Sequence, residues 1–267
     1  MNSLLHVLML AVVQGIGEFL PISSSGHLLL ANELWQRAGG QPLDDLLGAE
    51  IVLHGGTLLS ILVVYRRRIV RLLADERHMI GRLVVGTLPA IVVGLPLHEI
   101  DRFRSYLENP FLAGCLLPTS GILLLWAARR DEGTTGYSQI SYRQAFLIGI
   151  AQSIAILPGI SRSGATIVAG LAVGLRRDAA ASFSFLLAIP AILGAVVLEA
   201  KDFVFADVTG KQVGELLAGA AVSFLVGVAA LLLLLRWLRQ GRLQPMAWWC
   251  IGVGAAFTTW WLLGEPW

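Results

Sequence analysis

Six stretches of this chain, residues 46–65, 81–98, 111–128, 180–200, 214–236 and 246–263, are mostly apolar runs of about the 20 residues that a helix needs to cross a hydrocarbon core. Lipid satisfies no backbone N–H or C=O, so each run has to bond within itself, which a helix does. Composition agrees: the chain is 56% hydrophobic and 14% charged, with a mean hydropathy of +0.72, where a soluble domain carries about 25% charged residues. The chain reads as an all-α polytopic membrane protein, a single integral membrane domain over residues 1–267 with six transmembrane helices. Met1 to Val13 contains no Lys or Arg, so a cleaved secretory signal is not expected. Cys115 and Cys250 lie far apart in apolar sequence, which suggests neither a disulfide framework nor a CxxC metal site. The formal charge of +2 does not imply nucleic acid.

Two further apolar regions are interrupted in the middle: residues 4–37 at "PISSSG" and 142–175 at "PGISRSG". Each half is too short to span alone, so each region reads as a re-entrant helix pair. The interruptions resemble each other. At a constant offset of 138 residues, Gln14, Ile16, Ile22, Ser23, Ser25 and Gly26 fall on Gln152, Ile154, Ile160, Ser161, Ser163 and Gly164. That pattern indicates an internal duplication, approximately 1–128 and 139–267. Three spanning helices follow each broken region, so the second copy enters from the opposite side, an inverted repeat.

Arginine placement supports this topology. Arg66, Arg67, Arg68, Arg71, Arg77 and Arg82 lie in one connection; Arg129, Arg130, Arg143, Arg176 and Arg177 flank the second broken region; Arg236, Arg239 and Arg242 lie in another connection. Together they are fourteen of the twenty basic residues. The positive-inside rule puts this set in the cytoplasm. Arg37, Arg102, Arg104, Lys201 and Lys211 fall on the other face, and Arg162 lies within a break. The two breaks then approach the middle of the membrane from opposite sides.

Irregular backbone at that depth has to be buried in protein or line a wet cavity. Each break is where a new half-helix begins, so free N–H groups, a positive helix end and hydroxyls converge there, an arrangement that suits a phosphate. The candidate phosphate ligands are Ser23, Ser24, Ser25, Gly26, Ser161, Ser163 and Gly164, although serines at such positions also serve as helix caps. Arg162 is costly in a membrane and its planar fork matches phosphate oxygens; Glu18, in an apolar half-helix, is equally costly, and the plain alternative is a structural ion pair between them. His27 shares this short segment and is a candidate nucleophile or general acid. Gln14 lies one turn before Glu18. His54 beside Gly55 and Gly56 is a weaker supporting candidate, since small residues there also allow close helix packing. His6, His78 and His98 read as packing residues.

The segments "QGIGEFLPISSSGH" and "LPGISRSGATI" resemble the two signature motifs of the undecaprenyl-diphosphate phosphatase family of bacterial inner membranes, the bacitracin-resistance type. The likeness extends to "VLHGGTLLSILVVYRRRI" and "FSFLLAIPAILGA" and covers nearly the whole chain. The resemblance implies hydrolysis of undecaprenyl diphosphate to the monophosphate and inorganic phosphate, which regenerates the lipid carrier of cell-wall precursors. It also implies Glu18, His27 and Arg162 as catalytic residues, and Mg²⁺ or Ca²⁺ bridging the diphosphate to Glu18. Some members carry Glu where this chain has Gln14, and a neutral amide is no base. The nucleophile is open among His27, Ser24 and a water. The rival reading is a transporter or flippase for a phosphorylated polyprenyl lipid, which broken helices would serve equally well. The expected partners are the polyprenyl diphosphate lipid, the bilayer and, as a candidate assembly, a second copy in a homodimer.

Overall fold

A computed structural model describes residues 2–41, 43, 46–98, 100–203 and 210–264. Among them the chain forms twelve α-helices: α1 Asn2–Phe19, α2 Ser24–Arg37, α3 Leu46–Val64, α4 Arg66–Ala74, α5 His78–His98, α6 Asp101–Leu107, α7 Pro110–Ala128, α8 Tyr142–Ile154, α9 Arg162–Ala172, α10 Arg177–Phe203, α11 Gly210–Arg239 and α12 Gln244–Gly264. No strand is present among the described residues; the one bridge joins Thr135 to Leu175. Helix starts follow local chemistry. Asn109 caps α7 by accepting from Leu112 N at 3.1 Å, with Pro110 at the first helical position where its missing N–H costs nothing. Ser141 and Gln144 form a reciprocal capping box at α8, satisfying two otherwise orphaned donors.

Helices α5, α7, α10, α11 and α12 are long and apolar enough to cross a membrane. Helix α3 reaches that standard only together with α4, from which it is bent by 69°. The connection at 66–82, read from sequence by its arginines, thus contains a helix of its own. The reason is its pattern: Arg66, Arg67, Arg68 and Arg71 alternate with Ile69, Val70, Leu72 and Leu73 at helical spacing, so one side buries Leu72 while Val70 and Leu73 stay exposed. The side chains of Arg102, Arg104, Lys201 and Lys211 lie outside the described residues, as does that of His98.

Large apolar side chains such as Leu5, Val92, Leu217, Leu225 and Leu263 are exposed, as expected of a surface that lipid covers rather than water. Inside, Phe19, Phe183, Phe185, Ile61 and Leu234 belong to one buried cluster. Between helices the packing relies on small residues, because close backbone approach is the main source of attraction in lipid. A Cβ on Gly56 would sit 2.5 Å from the Ala220 carbonyl oxygen where α3 meets α11, and one on Gly121 would sit 2.5 Å from the Ala247 carbonyl oxygen where α7 meets α12. Helix α1 packs on α11, and α8 packs on α5.

The two broken regions touch. The first break lies between α1 and α2, and the second between α8 and α9. A Cβ on Gly26 would lie 3.0 Å from Gly159 Cα, and one on Gly164 would lie 3.2 Å from Pro21 Cβ. Gly26 and Gly164 are one pair at the 138-residue offset, and Pro21 and Gly159 are another. The junction is therefore self-complementary, each break offering its glycine to the same position of the other.

Close approach makes the α5–α8 contact a test of this packing. A Cβ on Gly149 would lie 2.4 Å from the Gly86 carbonyl oxygen, whereas one on Gly252 would meet nothing within 4 Å. Gly149→Ala is expected to cost about 1–3 kcal/mol, lowering the apparent melting temperature of the detergent-solubilised protein by several degrees, while Gly252→Ala leaves it unchanged. Equal melting of the two variants would contradict the packing.

Candidate active site

Each break is set by how its second half-helix starts. Ser23 caps α2, its Oγ accepting from Gly26 N at 3.3 Å, and Ser161 caps α9 by accepting from Gly164 N at 3.1 Å. Ser23 has a φ of 73°, a left-handed conformation that costs a non-glycine residue on the order of 1 kcal/mol or more. Gly17 lets the start of α2 lie against α1, since a Cβ there would stand 2.8 Å from Ser24 Cα. That approach brings Ser24 to Glu18. In the second break, buried Ser120 of α7 donates to Gly159 O at 2.9 Å and accepts from Ser161 N at 2.9 Å, satisfying two backbone groups that lipid would leave bare.

Glu18 is the centre of the arrangement and is only 6% exposed. One carboxylate oxygen receives Arg162 Nη2 from the other break. Its other oxygen accepts from Ser24 Oγ at 2.8 Å and from Gln14 Nε2 at 3.2 Å, and lies 3.9 Å from His54 Nε2. Four groups from four helices thus meet on one carboxylate. The second amine of Arg162 reaches the Ala188 carbonyl of α10 at 3.4 Å, and its side chain keeps 21% exposure. His54 Nδ1 faces the Glu50 carbonyl at 2.8 Å. A carbonyl can only accept, so Nδ1 carries a proton and the ring is held with Nε2 toward Glu18.

These residues line a cavity of about 310 Å³. The two contributions to it differ in character. The first half of the chain contributes Glu18, Ser23, Ser24, Ser25 and His54 to the lining, and the second half contributes Ser161, Arg162 and Ser163 with the apolar Ala155, Ile156, Ile192 and Ala195. The offset of 138 residues explains the contrast: Ile156 corresponds to Glu18, Ile192 to His54 and Arg162 to Ser24. The cavity thus draws on positions related by the 138-residue offset, polar in the first half of the chain and mostly apolar in the second.

Of the residues expected at the site, Glu18, Arg162, Gln14, His54 and the five serines come together. Gly26 and Gly164 lie behind the cavity, and their N–H groups are taken by the Ser23 and Ser161 caps. His27 is turned away. Its Nδ1 faces the Ser23 carbonyl at 2.9 Å, its Nε2 accepts from Trp249 Nε1 at 2.9 Å, and the two rings stack at 6.2 Å. Both ring nitrogens are thus committed in a neutral tautomer. Sequence reading gave His54 less weight than His27, and it passed over Ser120, whose only signal is the polar "PTSG" inside an apolar run. His6 is fully buried and stacked on Trp35 at 4.6 Å, as a packing residue. Cys115 and Cys250 are both free.

Among the described residues no cluster of three His, Cys, Asp or Glu could hold a metal ion. The donor set fits a cation in one way only. Glu18 supplies one carboxylate with Ser24 beside it, and a hard divalent ion held by so few protein ligands completes its shell from substrate phosphates.

Comparison with known proteins gives the same direction. A family model described as bacitracin resistance protein BacA matches residues 7–256. An undecaprenyl-diphosphatase of Rhodopirellula baltica is 48% identical over 255 residues, 95% of this chain and 96% of that protein. Undecaprenyl-diphosphatases of Desulfosudis oleivorans and Pelotomaculum thermopropionicum are 40% and 38% identical, each over 94% of this chain and over 96% and 94% of their own lengths. With both signature segments inside the match and their side chains gathered in one cavity, the chain belongs to the bacitracin resistance protein BacA family.

Proposed function

We propose that this protein hydrolyses undecaprenyl diphosphate to undecaprenyl phosphate and inorganic phosphate. The observation that carries the reading is the buried Glu18 carboxylate, which takes the Arg162 guanidinium from one break and the Ser24 hydroxyl from the other. A transporter needs an anion site, but it has no use for a hydroxyl poised on a carboxylate. The names of the relatives also speak for the phosphatase over the flippase.

The terminal phosphate competes with Glu18 for Arg162, and Ser161 and Ser163 add hydroxyl contacts. Taking the guanidinium frees Glu18 to act as a base. Ser24 Oγ attacks the terminal phosphorus, its proton passes to Glu18, and the bond to the bridging oxygen breaks, releasing the lipid monophosphate. Water then attacks the phosphoserine. Ser24 leaves with the proton held by Glu18, while the proton lost by the water passes through His54 Nε2 to solvent, so each turnover releases one proton. Arg162 neutralises charge on the phosphoryl oxygens in both steps. The wall of Ala155, Ile156, Ile192 and Ala195 takes the first isoprene unit, which orients the diphosphate toward Glu18. A divalent cation, Mg²⁺ or Ca²⁺, would be held by Glu18 and substrate oxygens and would supply further charge neutralisation. His27 is a positioning residue in this scheme: its Nδ1–H holds the carbonyl of the strained Ser23, which sets Ser24.

The fine architecture belongs to the same proposal. Six spans and two re-entrant pairs form an inverted repeat, 1–128 against 139–267, supported by the reciprocal Gly26–Gly159 and Gly164–Pro21 contacts. The protein sits in the bacterial inner membrane with its arginine-rich end in the cytoplasm and the cavity opening to the outer face.

Phosphate release from a polyprenyl diphosphate tests the chemistry. Arg162→Ala, Glu18→Gln and Ser24→Ala are each expected to lose about 10²–10⁴-fold in kcat, and rapid quenching of the wild type should trap phosphate on Ser24. Wild-type rates in all three would refute the site. His27→Asn keeps a donor where Nδ1–H stood and should retain far more activity than His27→Ala; equal losses would instead assign the His27 ring a proton-transfer role. Orientation has its own test. A cysteine placed at Ser138 or Gln240 should resist a membrane-impermeant thiol reagent applied to intact cells, and ready labelling would reverse the topology.

A further inference from the structure

A second cavity lies at the arginine-rich end, among the C-terminal end of α3, α4, the start of α10 and the end of α11. Its volume is about 210 Å³, several times the roughly 30 Å³ that a water molecule occupies in the liquid. Four guanidinium groups line it, those of Arg68, Arg71, Arg177 and Arg239, together with Tyr65 and Ser182. Along α10 its nearest lining residue, Ser182, is separated from Ala191 of the first cavity by about 14 Å, at 1.5 Å per residue, so the two sites are distinct.

The charge in this cavity is unbalanced. Its one lining carboxylate, Asp178, is paired with Arg176 at 3.2 Å, outside the cavity. Arg68 is held by Glu76 at 3.3 Å and lies over the Tyr137 ring at 3.7 Å, where burial pushes the tyrosine hydroxyl up to about 12 and so keeps the ring neutral. Arg177 faces Glu132 at 3.9 Å and is backed by Gly241, where a Cβ would meet the guanidinium at 3.1 Å. Arg71 and Arg239 have no ion pair among the described residues. A general excess of arginine on one face of a membrane protein calls for no cavity; here two unpaired forks converge with two restrained ones on one concave space.

The surroundings identify the ligand's other half. Helix α4 leaves the line of α3 at 69°, and Val70 and Leu73, flanking Arg71, are 64% and 58% exposed. An amphipathic basic helix with bare apolar side chains lies in a membrane interface, and basic pockets beside such helices suit anionic headgroups.

We propose that this cleft binds the phosphate of an anionic lipid headgroup, held by Arg71 and Arg239, with the lipid's chains lying against Val70 and Leu73. Inorganic phosphate shares the recognised chemistry but lacks the chains. Native mass spectrometry of the protein from neutral detergent, offered phosphatidylglycerol or phosphatidylcholine, distinguishes these cases. The wild type should retain one phosphatidylglycerol with a preference of about ten-fold or more, the scale of one charge-assisted contact pair. Arg71→Gln/Arg239→Gln should lose that preference while still releasing phosphate from polyprenyl diphosphate, which reports that it is folded. Arg66→Gln/Arg67→Gln, with the same change in charge away from the cleft, should keep it. Preference retained in the first variant, or lost equally in the second, overturns the proposal. So does displacement of the lipid by equimolar inorganic phosphate, which would mean the cleft recognises the bare anion alone.

Discussion

Everything at the centre of this protein depends on one buried contact, the Arg162 guanidinium on the Glu18 carboxylate. Either charge alone in a membrane interior is expensive, and removing one partner of such a pair typically costs about 3–5 kcal/mol. The two groups belong to different broken helices, so neither break can hold its charged residue without the other. The pair thus fixes the junction and leaves it reactive. Arg162 has 21% exposure and a cavity in front of it, so an anion entering the cavity can reach the guanidinium while Glu18 keeps its Ser24 and Gln14 hydrogen bonds.

The pair also joins two segments that are alike at the 138-residue offset but differ in the side chains they give the cavity. At the junction the two breaks use the same devices: Ser23 and Ser161 cap, Ser25 and Ser163 lie beside them at 3.4 and 3.1 Å, and Gly26 and Gly164 press on Gly159 and Pro21. The difference lies in a few side chains. Where the first segment has Glu18, Ser24 and His54, the positions 138 residues on have Ile156, Arg162 and Ile192. One cavity thus holds an acid, a hydroxyl and an imidazole together with a cation and an apolar surface.

Much of this was legible in the sequence, for physical reasons. Long apolar runs have little choice but helix in lipid, and the likeness of the two breaks at a 138-residue offset suggested that they approach each other, as their contacts show. Glu18 and Arg162 stood out because a charge in an apolar segment needs a partner. Other features depended on where side chains point, which spacing does not report. His27 and His54 are both histidines next to small residues; only the fold turns the first toward Trp249 and the second toward Glu18. Ser120 is remote in sequence from the break it secures. Helix α4 was hidden by its arginines, which read as a topology signal when they also form one side of an amphipathic helix.

The central claim is that the two breaks are joined through Glu18 and Arg162, and a double-mutant cycle on apparent melting temperature tests it most directly. Glu18→Gln and Arg162→Met are each expected to lower the midpoint by several degrees, because each leaves its partner charged and unpaired. The double variant removes both charges and should melt above either single variant. Losses that add in the double variant would contradict the account.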